Sequence, residues 1–373
     1  ITVLLLTAFF KITAQLEASK WYFALASGLD FSTTPPTPLT NGTPSVGEGC
    51  ASISDSNGNL LFYSNGITIR NSQHNIMSNG NGIMGNNSST QSCLIAKQPK
   101  SNNIYYLFTT DYNPGMGFAY SIIDMSLAAG LGSVTVKNNF LYNTTCEKQV
   151  AIKHCNGQDV WIVSHEYNNN NFRAYLLTAT GINTVPVISS IGVNIPQGPS
   201  MAGQLKISPN GKKLAMANCG ANTPSLATVY GFYIFDFDIA TGLVSNQLVL
   251  NNASSAYGVE FSPDGSKLYG ISGFTGAANQ KLFQWSICNT NTVAIVASQY
   301  SLDLFNYSPS ISLSGGLQRA IDGKIYFTHN ASNNPPTHNL GVISNPNVSG
   351  SAMGFSIAGP TYTYNGAPPL GLP

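Results

Sequence analysis

Carboxylate and histidine side chains beside strand-like stretches could supply acid–base chemistry. Glu48 and Glu147 precede apolar stretches in two different parts of the chain, and His165-Glu166 ends another. If they converge, these groups could serve as general acid and base on a polysaccharide or a lactone. The alternative is a set of strand ends that lie far apart. The five histidines include no pair spaced i, i+2 or i, i+4, so the sequence contains no histidine motif for a metal.

Polar side chains also interrupt apolar stretches directly before predicted turns. They are Lys153, Lys206, Glu260, Gln318 and Arg319. Ammonium, carboxylate and amide groups at such positions could bind a small polar ligand, or they could contact only water.

The sequence contains no cofactor or nucleophile motif in the structural context that such a motif requires. Gly80, Gly82 and Gly85 spell GxGxxG, but an Asn/Ser-rich segment surrounds them and no helix follows, so a loop is predicted instead of a dinucleotide site. GxSxG is absent, and Gly270-Ile271-Ser272-Gly273 lacks its spacing. The sequence therefore assigns no catalytic residue.

Calcium is the one ion with some support in the sequence. Asp236 and Asp238 alternate on a predicted strand, and Asp55-Ser56-Asn57-Gly58 partly resembles a calcium loop. Calcium takes six to eight oxygen ligands, and Asx side chains that cap turns explain both groups better. We expect no resident metal or cofactor, with calcium as the open alternative.

The six cysteines show neither CxxC nor zinc-site spacing. They are Cys50, Cys93, Cys146, Cys155, Cys219 and Cys288. We expect most of them to be small buried hydrophobic residues, and the sequence leaves disulfide pairing open.

One repeated unit organises the chain. Each copy has an apolar stretch, an Asn-Gly or Asp-Gly type turn and a second apolar stretch, as in KISPNGKKLAMANCG and EFSPDGSKLYGISGF. Asn and Gly tolerate the positive φ that two-residue hairpin turns need, so each copy predicts a β-hairpin. The six turn positions are Gly58, Asn103, Gly157, Gly211, Gly265 and Gly323.

A third and a fourth strand are predicted after each hairpin, for example at Tyr230–Asp238 and Leu243–Leu250. Four antiparallel strands per repeat are typical of a β-propeller blade. Six hairpins give six blades, and Lys20–Ser32 resembles the outer part of another whose inner strand would come from Ala367–Pro373. The prediction is an all-β, seven-bladed β-propeller of four-stranded antiparallel blades, with the last blade shared by the two chain ends. Six blades are the alternative.

Inner strands of a propeller line its central channel. The ligand-binding candidates predicted at the channel mouth are Glu48, Glu147, His165, Glu166, Lys206 and Glu260.

The ends and the composition predict an exported protein. Residues 1–14 resemble a signal peptide that lacks its start, because the apolar run Ile1–Phe10 precedes the cleavage-like Thr13-Ala14-Gln15. Residues 15–373 then form one propeller domain, which we expect to be truncated at its C-terminal end. Only 8% of residues are charged and the net charge is +1, so neither nucleic acid nor membrane insertion of the mature chain is predicted.

The chain resembles a known group of bacterial proteins. The copies SPNGKKLA and SPDGSKLY resemble Ser-Pro-Asp-Gly propeller repeats, and KWYFALASGLDF, EGCASISDSNGNLLFYSNGITI and EKQVAIKHCNGQDVWIVSH resemble the N-terminal region of large exported Bacteroidota proteins. Those proteins are linked to gliding motility and type IX secretion, and further modules usually follow the propeller. The resemblance implies a secreted or cell-surface protein, either a monomer or part of a longer multidomain chain.

Two functions from different classes follow from these observations. The first is a non-enzymatic, adhesin-like binding or display module for an extracellular protein or glycan, using loops on a rigid scaffold. The alternative is a propeller enzyme, similar to a polysaccharide lyase or hydrolase, with its site at the channel mouth. A purely architectural ring that spaces other domains is a third interpretation.

Overall fold

The fold follows from a computed structural model, which describes residues 16–24, 27–43, 47–111, 117–220, 229–273, 280–308, 311, 314–330, 337–363 and 369–373. The predicted signal segment, residues 1–14, lies outside them. In the described part of the chain, no helix has the length and apolar character needed to cross a bilayer.

Antiparallel sheets succeed one another along the first half of the chain. The first sheet consists of β1 (Lys20–Ala24), β2 (Ser27–Asp30) and β3 (Thr37–Leu39). A four-stranded unit follows, with β4 (Ala51–Ser54), β5 (Leu60–Ser64), β6 (Thr68–Asn71) and β7 (Ile76–Asn81). The next unit has β8 (Cys93–Lys97), β9 (Ile104–Thr109), β10 (Phe118–Asp124) and β11 (Ser133–Tyr142). These two units form one eight-stranded sheet, because β7 and β11 meet through parallel pairing of Ser78 with Ser133.

The second half repeats the arrangement. A five-stranded sheet contains β12 (Thr145–Lys153), β13 (Val160–Glu166), β14 (Asn171–Thr178), β15 (Gly181–Ile182) and β16 (Val187–Ser190). Two four-stranded sheets follow, with β17 (Leu205–Ile207), β18 (Lys213–Asn218), β19 (Gly231–Phe237) and β20 (Val244–Asn251), then β21 (Ala256–Phe261), β22 (Lys267–Ser272), β23 (Lys281–Ser286) and β24 (Tyr300–Asp303).

The last sheets bring the chain back toward its start. β25 (Ser314–Arg319), β26 (Ile325–His329), β28 (Gly341–Ile343) and β29 (Phe355–Ser356) form a four-stranded sheet, while β27 (Thr337–Asn339) pairs with β30 (Thr361–Thr363). The described helical elements are α1 (Thr292–Ala297) and five short 3-10 segments at Leu16–Ala18, Ala128–Gly130, Pro199–Met201, Leu304–Asn306 and Gly350–Met353.

The hairpin turns differ in detail from the two-residue turns that the sequence predicts. In the first, the Gly58 N–H donates to Asp55 O and the Asp55 N–H to Asn59 O, so three residues form the loop. Gly58 has φ of 82° and is its left-handed residue, as in a type I turn with a glycine bulge. Gly157, Gly211, Gly265 and Gly323 also have positive φ. The turn that contains Asn103 joins β8 to β9 as predicted, but its left-handed residue is Lys100.

Apolar layers between neighbouring sheets form the core. One layer joins Trp161 and Phe172 of one sheet with Met216 and Phe235 of the next, and another joins Phe232 with Trp285. The first strands of successive sheets also contact each other, from β4 to β8, β12, β17, β21 and β25. The six first strands therefore stand side by side.

An apolar cluster, which we call the closing cluster, joins the two ends of the chain. It combines Trp21, Phe23 and Phe31 of the first sheet region with Tyr326 of β26 and Tyr362 of β30. The segment 369–373 lies beside it: the Leu370 N–H donates to Gly47 O at 3.1 Å, and the Gly316 N–H donates to Leu370 O at 2.6 Å. The C-terminal segment thus bridges β25 and the residues that lead into β4.

Candidate functional site

The first strands surround a central cavity of about 360 Å³. Six sheets contribute to its wall, the first of them through Trp21, and residues 372–373 complete it. The polar lining residues are Ser52, Thr90, Gln91, Gln149, Gln204, Lys206, Glu260, Gln318 and Arg319. Of the five polar residues that precede predicted turns, Lys206, Glu260, Gln318 and Arg319 line this cavity, and Lys153 does not.

A connected group of polar side chains occupies part of this wall. Lys206 Nζ donates to Gln318 Oε1 at 2.5 Å and lies 3.3 Å from Glu260 Oε2. Glu260 is fixed on both oxygens, because Oε1 accepts from the Phe261 N–H at 2.9 Å and Oε2 from the Arg319 N–H at 3.2 Å. Only 6% of the Glu260 side chain is exposed, so these bonds fix the carboxylate in the wall.

Glutamine side chains tie neighbouring first strands together. Gln91 Oε1 accepts from the backbone N–H groups of Gln149 at 3.2 Å and Leu205 at 2.8 Å. Gln204 Oε1 accepts from the N–H groups of Val259 and Leu317 at 3.1 and 3.0 Å. Amides supply both a donor and an acceptor, which suits them to bridge backbone groups that lack a ladder partner. The wall is thereby rigid where it meets the cavity.

Glu48 and Glu147 lie in a buried cluster next to the cavity and do not line it. The Tyr257 hydroxyl donates to Glu48 Oε2 at 2.7 Å, although the two residues belong to distant repeats. Thr90 donates to Glu147 Oε2 through its N–H at 2.7 Å and its hydroxyl at 3.1 Å. We call these residues, with Lys148, the buried polar cluster. The hydrogen bonds of this cluster join residues of different repeats.

Lys148 is the cation of this cluster. Its Nζ is fully buried and donates to the carbonyl oxygens of Met201, Ala202 and Gly203 at 2.8, 2.5 and 3.2 Å. Burial lowers the pKa of Lys148 to about 8. The ammonium thus links β12 to the segment that leads into β17.

Glu48 retains a proton at neutral pH. Burial, and then the nearby Glu147 carboxyl, raise the pKa of Glu48 to about 8. Burial also raises the pKa of Glu147. The pKa of a glutamate in an unfolded chain is about 4.3. Between this pH and about pH 8, the folded chain holds a proton on Glu48 that the unfolded chain has released. Glu48 therefore makes the folded state lose stability as pH rises through this range.

The Glu48→Gln variant is expected to lose this dependence. From about pH 6.5 to about pH 8, it should gain about 1–2 kcal/mol in unfolding free energy relative to wild type. Burial lowers the pKa of His165 to about 3 and of His329 to about 4, and since both wild type and variant contain these histidines, their contribution cancels in the comparison. Urea unfolding at the two pH values measures the difference, with the exposed Glu17→Gln as control. Equal pH slopes in wild type and Glu48→Gln would contradict a protonated Glu48.

His165 and Glu166 do not line the cavity, and both are buried at the end of β13. The Glu166 carboxylate forms an ion pair with Arg173 of β14 and accepts from the Asn169 amide. His165 Nδ1 lies 2.5 Å from Glu166 O, and its Nε2 is buried without a hydrogen-bond partner. The structure thus does not bring this pair together with Lys206 and Glu260 around the cavity.

The calcium candidates serve local structure. Asp236 pairs with Lys213 at 2.5 Å and accepts from the Asn246 amide at 2.7 Å. Asp238 and Asp55 accept backbone N–H groups of their own turns. Among the described residues, no three or more His, Cys, Asp and Glu side chains are grouped as metal ligands. All six cysteines are free thiols, and Cys50, Cys93, Cys146 and Cys219 are buried, as predicted for most of them.

Sequence reasoning missed the residues that connect different repeats. They are Gln91, Gln149 and Gln204 around the cavity, and Lys148 and Tyr257 in the buried polar cluster. A glutamine stands at or just before the first strand in three successive copies, and that signal could have identified the first group. Tyr257 carries no such signal, because its partner is 209 positions away.

Solved structures with a similar fold include proteins of different descriptions. No model of a known protein family matches the sequence, and neither does any curated protein. A candidate 6-phosphogluconolactonase of Bacteroides fragilis NCTC 9343 aligns over 95% of this chain and 98% of its own, at 10% identity and a TM-score of 0.52. A quinoprotein alcohol dehydrogenase-like protein of Bacteroides thetaiotaomicron aligns over 94% and 77%, at 12% identity and a TM-score of 0.49.

Hydrazine synthase of Kuenenia stuttgartiensis is a third similar structure. It aligns over 67% of this chain at 18% identity and a TM-score of 0.41, and this chain spans 61% of its length. At identities this low a likeness concerns the fold alone. Together with the repeated antiparallel sheets around one cavity, the Bacteroides fragilis match makes this chain a β-propeller.

Proposed function

We propose that this propeller binds a small polar ligand in its central cavity and acts as a non-catalytic binding module outside the cell. The observation that carries the proposal is the convergence of Lys206, Glu260, Gln318 and Arg319, from three different sheets, on one cavity. A volume of about 360 Å³ lies at the lower end of the range for small-molecule sites, about 300–1,000 Å³. It suits one small molecule better than a length of polymer.

We further propose that the ring has seven blades. Six units each place their first strand on the cavity wall, and residues 372–373 occupy a seventh position on it. Of the strands β1–β3, only β1 reaches the cavity in the described part of the chain, through Trp21, and β1 contacts β4. Residues 369–373 supply the first strand of this sheet in the proposed arrangement, which matches the shared blade expected from the sequence.

The proposed location is the exterior of a bacterial cell. It is supported by the 8% content of charged residues and by the apolar segment Ile1–Phe10, which lies outside the described residues. The resemblance to exported proteins of gliding motility and type IX secretion agrees with this location. Extracellular glycans or their breakdown products would then be available to the cavity.

Binding is favoured over catalysis by where the acid–base groups lie. Glu48 and Glu147 accept hydrogen bonds from Tyr257 and Thr90, Glu166 forms an ion pair with Arg173, and none of the three lines the cavity. His165 is also buried away from the cavity lining. Glu260, the carboxylate on the cavity, is held by two backbone N–H groups and by Lys206. A carboxylate so constrained is suited to position partners, and it has little freedom to shuttle protons.

Binding is tested by calorimetry with glucose, galactose, glucuronate and galacturonate. We expect at least one of these sugars to bind wild type, and Lys206→Met to bind it at least tenfold more weakly, because methionine keeps the side-chain length and removes the cation. Lys153→Met is the matched control, since Lys153 is exposed and does not line the cavity. The proposal is wrong if none of the four sugars binds, or if Lys206→Met binds as tightly as Lys153→Met.

An enzyme is the second candidate. Its support is the likeness to the candidate 6-phosphogluconolactonase and the protonated Glu48, whose neighbour Gly49 lines the cavity. In that case glucono-lactone would be consumed by wild type faster than by Glu48→Gln, whereas a binding module would leave the lactone at its spontaneous rate of hydrolysis.

A further inference from the structure

The Asn-Gly pairs of the chain differ in how far the fold restrains them. An asparagine side chain is most open to attack by the next backbone nitrogen when glycine follows, because glycine has no side chain to obstruct the approach. The sequence contains eight such pairs, at Asn41, Asn57, Asn65, Asn79, Asn81, Asn156, Asn210 and Asn365. Asn365 lies outside the described residues, and the structure distinguishes the other seven.

Three of these pairs stand in hairpin turns, where the glycine nitrogen is engaged. The N–H groups of Gly58, Gly157 and Gly211 donate to the carbonyl oxygens three residues earlier at 3.0, 2.9 and 2.8 Å. Asn156 and Asn210 also accept backbone N–H groups of their own turns through Oδ1. A nitrogen that donates within the turn gives up its proton less readily, and it must break that bond before it can attack.

Hydrogen bonds and burial restrain three further pairs. The Gly66 N–H donates to the Ser64 hydroxyl at 3.0 Å. The amide nitrogen of Asn79 donates to a backbone carbonyl at 2.9 Å, and the amide oxygen of Asn41 accepts from a tyrosine hydroxyl at 3.1 Å. The glycines that follow these two asparagines are buried.

Asn81 and Gly82, at the end of β7, have none of these restraints. Both residues are exposed. Gly82 has φ of 69°, and apart from its chain neighbours no described heavy atom lies within 4 Å of the position that a Cβ would take. Within the described part of the chain, neither the Gly82 N–H nor the Asn81 side chain has a hydrogen-bond partner. The nitrogen and the amide are therefore both free to react.

We propose that Asn81 is a modification site, at which deamidation converts the asparagine into isoaspartate and aspartate. The Gly82 nitrogen attacks Asn81 Cγ, so that a new C–N bond closes a five-membered imide. The bond from Cγ to the side-chain nitrogen breaks, and ammonia leaves with the proton of the Gly82 N–H. Water then opens the imide at either carbonyl group, which gives isoaspartate or aspartate.

The modification falls where the first two repeats join. Lys137 Nζ donates to Asn81 O at 2.7 Å, and Asn138 Nδ2 donates to Gly82 O at 3.0 Å. In isoaspartate the backbone continues through Cγ and is one methylene longer, and the carbonyl group that Lys137 contacts becomes a free carboxylate. The product thus changes both the charge and the chain path at the contact between β7 and β11.

Peptide mapping by tandem mass spectrometry measures the reaction at each asparagine during incubation of the full chain. In the folded protein we expect Asn81 to convert at least tenfold faster than Asn57, Asn156 and Asn210. In guanidinium chloride the four rates should lie within about threefold of one another, because unfolding removes the turn hydrogen bonds. Asn81→Gln should abolish the fast release of ammonia, since glutamine would have to close a larger ring.

The matched control is Asn210→Gln, which changes a restrained Asn-Gly pair and should leave the fast release of ammonia intact. Equal rates at the four asparagines in the folded protein would overturn the proposal. The same holds for a preference for Asn81 that persists unchanged in guanidinium chloride, because flanking residues and not the fold would then set the rate. Fast release of ammonia from Asn81→Gln would place the reaction at another residue and would also overturn it.

Discussion

Replacing Lys148 with methionine is expected to lower the free energy of unfolding by about 3–5 kcal/mol, the range for breaking a buried charged interaction. Methionine has a similar length and no donor, so the carbonyl oxygens of Met201, Ala202 and Gly203 lose their shared partner inside the protein. A buried acceptor left without a donor costs about 1–3 kcal/mol, and the Ala202 oxygen keeps its bond from the Cys219 N–H. Urea unfolding at about pH 7 measures the loss, since below its pKa of about 8 the ammonium is mostly charged.

The matched control is Lys153→Met on the same strand. Lys153 is exposed at the other end of β12, where surface substitutions change stability by about 0.5 kcal/mol or less. If Lys148→Met unfolded at the same urea concentration as this control, the buried ammonium would not be what joins β12 to the next sheet.

The positions on the channel wall could be predicted because they depend on local rules. A glycine that must adopt positive φ marks each hairpin, and the strand before the hairpin is the one nearest the axis in a propeller. Lys206, Glu260, Gln318 and Arg319 stand four or five residues before that glycine and line the cavity, whereas Lys153, four residues before Gly157, does not. The turn predicted at Asn103 also forms, but that copy has no glycine there, and Lys100 is its left-handed residue.

The buried polar cluster could not be predicted, because its geometry breaks the alternation of a strand. The pairing of β12 with β13 shifts register between Thr145 and Gln149, and Glu147, Lys148 and Gln149 are consequently all buried. A period of two would have exposed one of any two neighbours. The partners of these residues, moreover, belong to other repeats, and only closure of the ring brings them near.

The short helix α1 was also missed. Six residues are too few to show helical periodicity, but the Asn291 side chain accepts from the Val293 and Ala294 N–H groups at 2.9 and 3.4 Å. Asparagine is among the best N-cap residues, so the cap was the available signal.

Closure of the ring gives the second large effect. Phe23→Ala is expected to lower the free energy of unfolding by about 3–5 kcal/mol, the usual cost of truncating a fully buried phenylalanine. Phe23 on β1 is 0% exposed, and its ring meets Tyr362 of β30 edge-on at 5.1 Å between ring centres. The closing cluster then loses contacts between the first and the last sheets. Urea unfolding measures the change.

Phe140→Ala is the control, since it removes the same atoms from a residue that is 48% exposed and lies outside the closing cluster. Its expected cost is about 1 kcal/mol or less. If the two ends of the chain only touched, Phe23→Ala would lower the free energy of unfolding no more than Phe140→Ala does. If the ring depends on its closing cluster, Phe23→Ala lowers the free energy of unfolding several times more than Phe140→Ala does. The first strands that form the cavity wall, with the segment 369–373 beside Gly47 and Gly316, then become less tightly packed. Phe23→Ala should accordingly weaken sugar binding although Phe23 does not line the cavity.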